Sequence, residues 1–297
     1  MSGIQRPYTI LYVVGVGHSG STLLNLLLNG HSEVMGLCEL HFLEKYLKVS
    51  PNDDQHPLRH AMWREVGRCW QDKTGYAFSE ISISTPSRSQ LRRWTEADLA
   101  KYRTHNSILF DCISEVSGAR VLVDTSKSLS RLRLLAQCDL PVRVIHLVRD
   151  GRGIINSYRR KYGHVRIGLR RWFFRTLVVP LARSSFKDVE WISIKYEDLA
   201  GAPEFTLQRL CRFAQLNYEP SMLRYWEAED LSIGGNRMRR KKSAVRLDEK
   251  WYQELSFFNR AGFAIIGGWL NVAYGYPLIG RYTPFSRGTH GASANDE

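Results

Sequence analysis

The stretch from Tyr8 to Gly30, YTILYVVGVGHSGSTLLNLLLNG, constrains this chain more than any other. Tyr8 to Val14 is a run of aliphatic and aromatic residues and reads as a buried strand. Gly15, Gly17 and Gly20 then supply a turn, and Ser21 to Asn29 has the length and apolar spacing of a helix. A strand, a glycine loop and a helix in that order aim several backbone N–H groups at one point, where the helix dipole also favours negative charge. Such a site holds a phosphate or sulfate dianion. The alternative is a tight turn with no ligand.

The rest of the chain fits that start. Arg120 to Asp124, Val142 to Val148 and Glu190 to Lys195 read as further strands, nearly continuous in apolar residues as in a parallel sheet covered on both faces. Leu129 to Gln137, Gly153 to Lys161 and Glu204 to Gln215 read as helices between them, with Pro203 placed for a first turn. The expected class is α/β, a doubly wound parallel sheet with helices on both faces. Residues 41–118 break the alternation and are expected to form a mainly helical, acceptor-side insert at the sheet edge, in which Thr95 and Asp98 start a helix. Residues 1–285 are read as one domain, and 286–297, rich in Gly, Ser and Ala, as a disordered tail.

Of the 297 residues, 42 are Lys or Arg against 29 Asp or Glu, a net charge of +13 that predicts anionic partners. The five cysteines are odd in number and scattered, with no C-x-x-C, so neither a disulfide framework nor a zinc site is expected. Together with the lack of a signal-like N-terminus, this predicts a soluble cytoplasmic protein, with peripheral membrane contact through a basic face left open. Ala261 to Tyr276 is short for a membrane span and contains Asn271, so a buried helix is expected. Between Arg159 and Arg183, arginines alternate with Trp172, Phe173 and Phe174 at helical spacing. That pattern predicts amphipathic packing, with an acceptor border or an acidic surface as alternatives.

A second element, VIHLVRDGRGIINSY, places Arg149 and Asp150 at the end of a strand and Ser157 two turns into the next helix. An arginine fork with a hydroxyl suits a second phosphate, and its competing partners are Asp150 and Asp124. The first loop has the spacing of a Walker A loop, but Ser21 stands where the lysine should follow Gly20, which argues against an ATP phosphotransferase. GVGHSGSTLL, VRDGRGIINSY, IKYEDL and IGGNRMRRKK together resemble the PAPS-dependent sulfotransferase family, with motif placement closest to tyrosylprotein-type and bacterial members.

The resemblance implies a P-loop-like fold and PAPS as sulfuryl donor, with PAP as product and no metal. It places Gly17, His18, Ser19, Gly20, Ser21 and Thr22 on the 5′-phosphosulfate, Arg149 and Ser157 on the 3′-phosphate, and Arg237, Arg239 and Arg240 in a lid over the nucleotide. Glu39 is the implied base and Lys127 the cation on the transferring group, with His41 as rival base. Burial beside an apolar wall is expected to raise the pKa of Glu39. His18 departs from the family, which has lysine or arginine there; a bound phosphosulfate would favour its imidazolium. The acceptor is expected to be a hydroxyl of a glycan, lipid or small molecule, with a protein tyrosine second. No nucleic acid is expected, although a basic nucleotide- or RNA-binding protein is the non-enzymatic alternative.

Overall fold

The computed structural model describes residues 5–49, 56–235 and 244–285. Five strands, β1 (Thr9–Gly15), β2 (Val34–Cys38), β3 (Val121–Lys127), β4 (Val142–Val148) and β5 (Trp191–Lys195), form one sheet in the order β2-β3-β1-β4-β5. Every pairing is parallel. The α-helices of seven or more residues are α1 (Ser21–Asn29), α2 (Ala61–Thr74), α3 (Glu96–Ser117), α4 (Leu129–Leu135), α5 (Gly151–Tyr162), α6 (Val165–Arg183), α7 (Pro203–Phe213) and α8 (Phe257–Ala273). The expected doubly wound α/β class is what forms.

Alternation along β1 decides which helices cover which face. Ile10, Tyr12 and Val14 pack with Trp63, Trp70, Leu109 and Phe110 of α2 and α3. Leu11 and Val13 point the other way, onto Leu23, Leu24 and Leu27 of α1 and Leu207 and Leu210 of α7. Residues 41–118 are thus helical as expected but lie over a face of the sheet, because Trp63, Trp70 and Phe110 bury themselves there. The predicted cap is present: Thr95 accepts from the Asp98 amide, and Asp98 from the Thr95 amide.

The structure adds strand β2, VMGLC, which asparagines on α1 hold, Asn29 Oδ1 accepting from the Gly36 amide and Asn25 Oδ1 from that of Cys38. Two expectations are corrected. Cys69 on α2 and Cys112 on α3 form a disulfide, because helix packing brings their Cα atoms within 5.8 Å across 43 residues of sequence. Helix α8 is buried on one side only: Phe263, Gly267 and Leu270 face inward, while Phe258, Ile265 and Trp269 are exposed. Among the described residues, no helix is long and apolar enough to cross a membrane.

Candidate active site

The sheet switches direction at β1, so a crevice opens at the carboxyl ends of the strands, where ligands bind in this architecture. The glycine loop lies there. Gly15 must be glycine because a Cβ would meet the Leu147 carbonyl oxygen at 2.5 Å. Gly20, at φ +93°, precedes α1 in the left-handed region, and no side chain caps the helix. The amides of its first turn therefore face the crevice without a competing carboxylate or hydroxyl cap. Ser19 Oγ is buried in the same loop with no hydrogen-bond partner.

Two neighbouring strands end in left-handed residues, Cys38 at φ +51° on β2 and Lys127 at φ +61° on β3. Such geometry costs a non-glycine residue about 1 kcal/mol or more and persists only where the surroundings enforce it. For Lys127 the enforcement is visible. Tyr12 Oη donates to the Ser128 carbonyl and accepts from the Ser128 amide, at 2.9 and 3.0 Å. On the other side, fully buried Arg131 pairs with Asp124 at 3.0 Å, and Asp124 accepts from the Ser126 amide. Lys127 Nζ then donates to Glu39 Oε1 at 2.7 Å, to the Thr125 carbonyl at 2.8 Å and to Ser21 Oγ at 3.2 Å. One ammonium thus joins the start of α1 to the carboxylate beyond β2.

That contact reverses the expectation for Glu39. Burial pushes its carboxyl up, but the Lys127 charge and hydrogen bond outweigh this and hold it below the usual carboxylate range. Glu39 is ionised at neutral pH and able to accept a proton. Its amide donates to the Ile233 carbonyl, and the Ile233 amide to Leu37, so the segment leading toward residue 236 is fastened to β2 beside it. His41 turns its ring onto Phe42, and burial lowers its pKa as well.

His18, itself left-handed at φ +68°, places Nδ1 2.8 Å from Ser157 Oγ. Its ring packs on Tyr158 and Tyr162. Burial, and then the charges of Lys161, Arg149, Lys127 and Arg171, lower its pKa to about 4, so the imidazole is neutral at pH 7. Four cations bearing on one imidazole mark the positive field of the crevice. Arg149 donates through Nη1 to the His18 carbonyl at 2.9 Å and lies 4.1 Å over the Tyr196 ring. Neither expected competitor binds it: Asp124 belongs to Arg131 and Asp150 to Arg152. Its partner is Asp248, at 3.2 Å, and its Nε is buried without a partner.

The predicted residues therefore gather in two groups, Ser21, Glu39 and Lys127 on one side of the loop and His18, Arg149 and Ser157 on the other. Gly17 and Thr22 sit on the loop and the first turn between them. Arg237, Arg239 and Arg240 lie outside the described residues. Tyr196 and Asp248 were not singled out. An aromatic just past the end of β5 is a signal for the first; nothing local marks the second, 99 residues from Arg149.

A phosphate-type loop at the switch point of a parallel sheet, with Arg149 beside it, defines an anion-binding crevice of P-loop-like fold. The chain belongs to the sulfotransferase family, whose profile matches residues 11–220. Carbohydrate sulfotransferase 1 of Rattus norvegicus is 22% identical over 251 residues, covering 74% of this chain and 58% of that protein. The Homo sapiens protein of the same name is 23% identical over 249 residues, with the same coverages. The chain thus spans 58% of the length of these relatives. Among solved structures, the sulfotransferase domain from the Synechococcus PCC 7002 olefin synthase superposes with a TM-score of 0.61 at 20% identity, covering 92% of this chain and 96% of that one. The sulfotransferase domain from the curacin biosynthetic pathway gives 0.52 at 19% identity, covering 86% and 93%. Both show the same fold.

Proposed function

We propose that the protein transfers a sulfuryl group from PAPS to a hydroxyl of a glycan, lipid or small molecule by in-line displacement, releasing PAP. The observation that carries this reading is Lys127 Nζ, which touches both Ser21 Oγ at the start of α1 and Glu39 Oε1. The loop that would hold a phosphosulfate, a permanent cation and an ionised base meet at one point. The donor fits the chain's own unmet needs, since Ser19 Oγ in the first motif and Arg149 Nε in the second are buried donors without partners.

PAPS supplies the sulfuryl group on an anhydride whose leaving phosphate gains negative charge. The α1 amides, Ser19, Ser21 and Thr22 bind and orient the 5′ end. Lys127 provides fixed charge where that negative charge grows, and Glu39 takes the acceptor's proton. His18 donates a hydrogen bond to the same end of the donor. Arg149 and Ser157 clamp the 3′-phosphate, which displaces the Asp248 carboxylate from Arg149. Relatives named for carbohydrate favour a glycan hydroxyl as acceptor.

Calorimetry with PAP, ADP and AMP on the wild type and on Arg149→Ala tests the donor site. Selective PAP binding that collapses in the variant is expected, followed by sulfate transfer from PAPS in an acceptor screen. Equal affinity for PAP and ADP would sink the 3′-phosphate assignment.

A further inference from the structure

Helices α6 and α8 lie side by side on the surface. Trp172 packs on Phe263, Phe173 on Trp269, and Tyr274 Oη donates to the Thr176 carbonyl, so both helices run the same way. A surface hollow lined by Gly163 to Ile167 and Asn259 marks where they begin. On α8, Phe258, Ile265, Trp269 and Val272 are exposed, and on α6, Ile167, Phe174, Val178 and Leu181. Both sets recur at i, i+7, i+11 and i+14, which puts each on a single outward stripe. Phe258 and Ile265 are 84% and 82% exposed, so these stripes are bare. Contiguous apolar surface of this kind marks an interaction site.

The charges choose the occupant. Helix α6 carries Arg166, Arg170, Arg171, Arg175 and Arg183, all exposed, and neither α6 nor α8 contains Asp or Glu. A second copy meeting this face across a two-fold axis would set arginine against arginine with no acidic partner on either helix. Bulky apolar side chains fringed by arginine, on helices that do not span, match the interface of an anionic bilayer. The geometry points to peripheral docking of the α6–α8 face on an anionic lipid membrane, apolar stripes in the headgroup region and arginines on the lipid phosphates. Tyr158, under the guanidinium of Arg171, and Tyr162 next to it pack on His18, so the docked face borders the donor crevice.

Flotation of the full chain with phosphatidylcholine vesicles, with and without phosphatidylglycerol, tests the proposal. The protein is expected to float with the anionic vesicles only, and less at high salt. Phe258→Ser/Ile265→Ser, which removes two solvent-exposed side chains and leaves thermal unfolding unchanged, is expected to weaken binding on the order of tenfold or more. Arg166→Gln/Arg170→Gln is expected to do so by on the order of 25-fold. Failure of the wild type to float with anionic vesicles overturns the proposal, as does undiminished flotation of Phe258→Ser/Ile265→Ser. A dimer in sedimentation velocity that this variant dissolves, without flotation, assigns the face to a second copy instead.

Discussion

His18 is held neutral by burial and by four neighbouring cations, at a pKa of about 4. Binding of a phosphate dianion beside it opposes those cations and raises the pKa of the bound state. Between the two values the complex carries more protons than the free protein, so binding takes up a proton and affinity rises as pH falls. If the anion restores the ordinary value near 6.5, PAP binds about twentyfold more tightly at pH 5 than at pH 7 through this site. At pH 6 the same arithmetic gives uptake of about three-quarters of a proton. Calorimetry at pH 6 in two buffers of different ionisation enthalpy measures that uptake. PAP releases phosphate protons of its own in this range, so the reading is the difference between wild type and His18→Lys, whose cation is permanent. Equal proton uptake by the two proteins, with parallel affinity profiles from pH 7 to 5, would refute the coupling of His18 to the anion.

Steady-state rates separate the roles of the central pair. Glu39→Gln is expected to lower kcat by about 10²- to 10⁴-fold while PAP affinity stays within about threefold. Lys127→Met is expected to cost on the order of 10²- to 10³-fold and to move the acid limb of the rate profile upward, since the largest influences opposing burial at the Glu39 carboxyl are then gone; an unmoved limb would show that Glu39 is not the titrating group. Gly20→Ala places a Cβ 2.4 Å from Cδ2 of Tyr196 at a positive φ. A stability loss of about 2 kcal/mol or more, read by denaturant unfolding, is expected with loss of PAP binding. The Cys69–Cys112 bridge closes a loop of 43 residues. Its reduction is expected to cost about 4 kcal/mol in the chain-entropy picture, seen as a lower unfolding midpoint with reductant that Cys69→Ser/Cys112→Ser reproduces without it.

What was legible in the sequence is what local chemistry encodes. The order of strand, loop and helix at Tyr8 to Asn29 is fixed by glycines and apolar runs, and the start of α3 by Thr95 and Asp98. Glu39, Lys127, His18, Arg149 and Ser157 carry motif positions, and the fold does bring them to one crevice. The sequence was silent where a property depends on distant partners. The ionisation of Glu39 turns on Lys127, 88 residues later, and the pairing of Arg149 on Asp248. Strand β2 shows the same limit, since five apolar residues after a helix have no period of their own until Asn25 and Asn29 bond to them. The disulfide needed the packing of α2 on α3, which cysteine spacing does not report.

The contact between Gly20 and Tyr196 has a consequence for how this sequence can change over time. The ring that excludes a side chain at position 20 also stacks on Arg149, and its hydroxyl accepts from the Asp248 amide. A Cβ at 20 would need a smaller residue at 196 in addition to a tolerated left-handed backbone, and that smaller residue would strip the stacking surface from the guanidinium. Four positions spread over most of the chain are therefore inherited as one unit. In any set of natural variants, substitutions at 20, 149, 196 and 248 should arrive together or not at all.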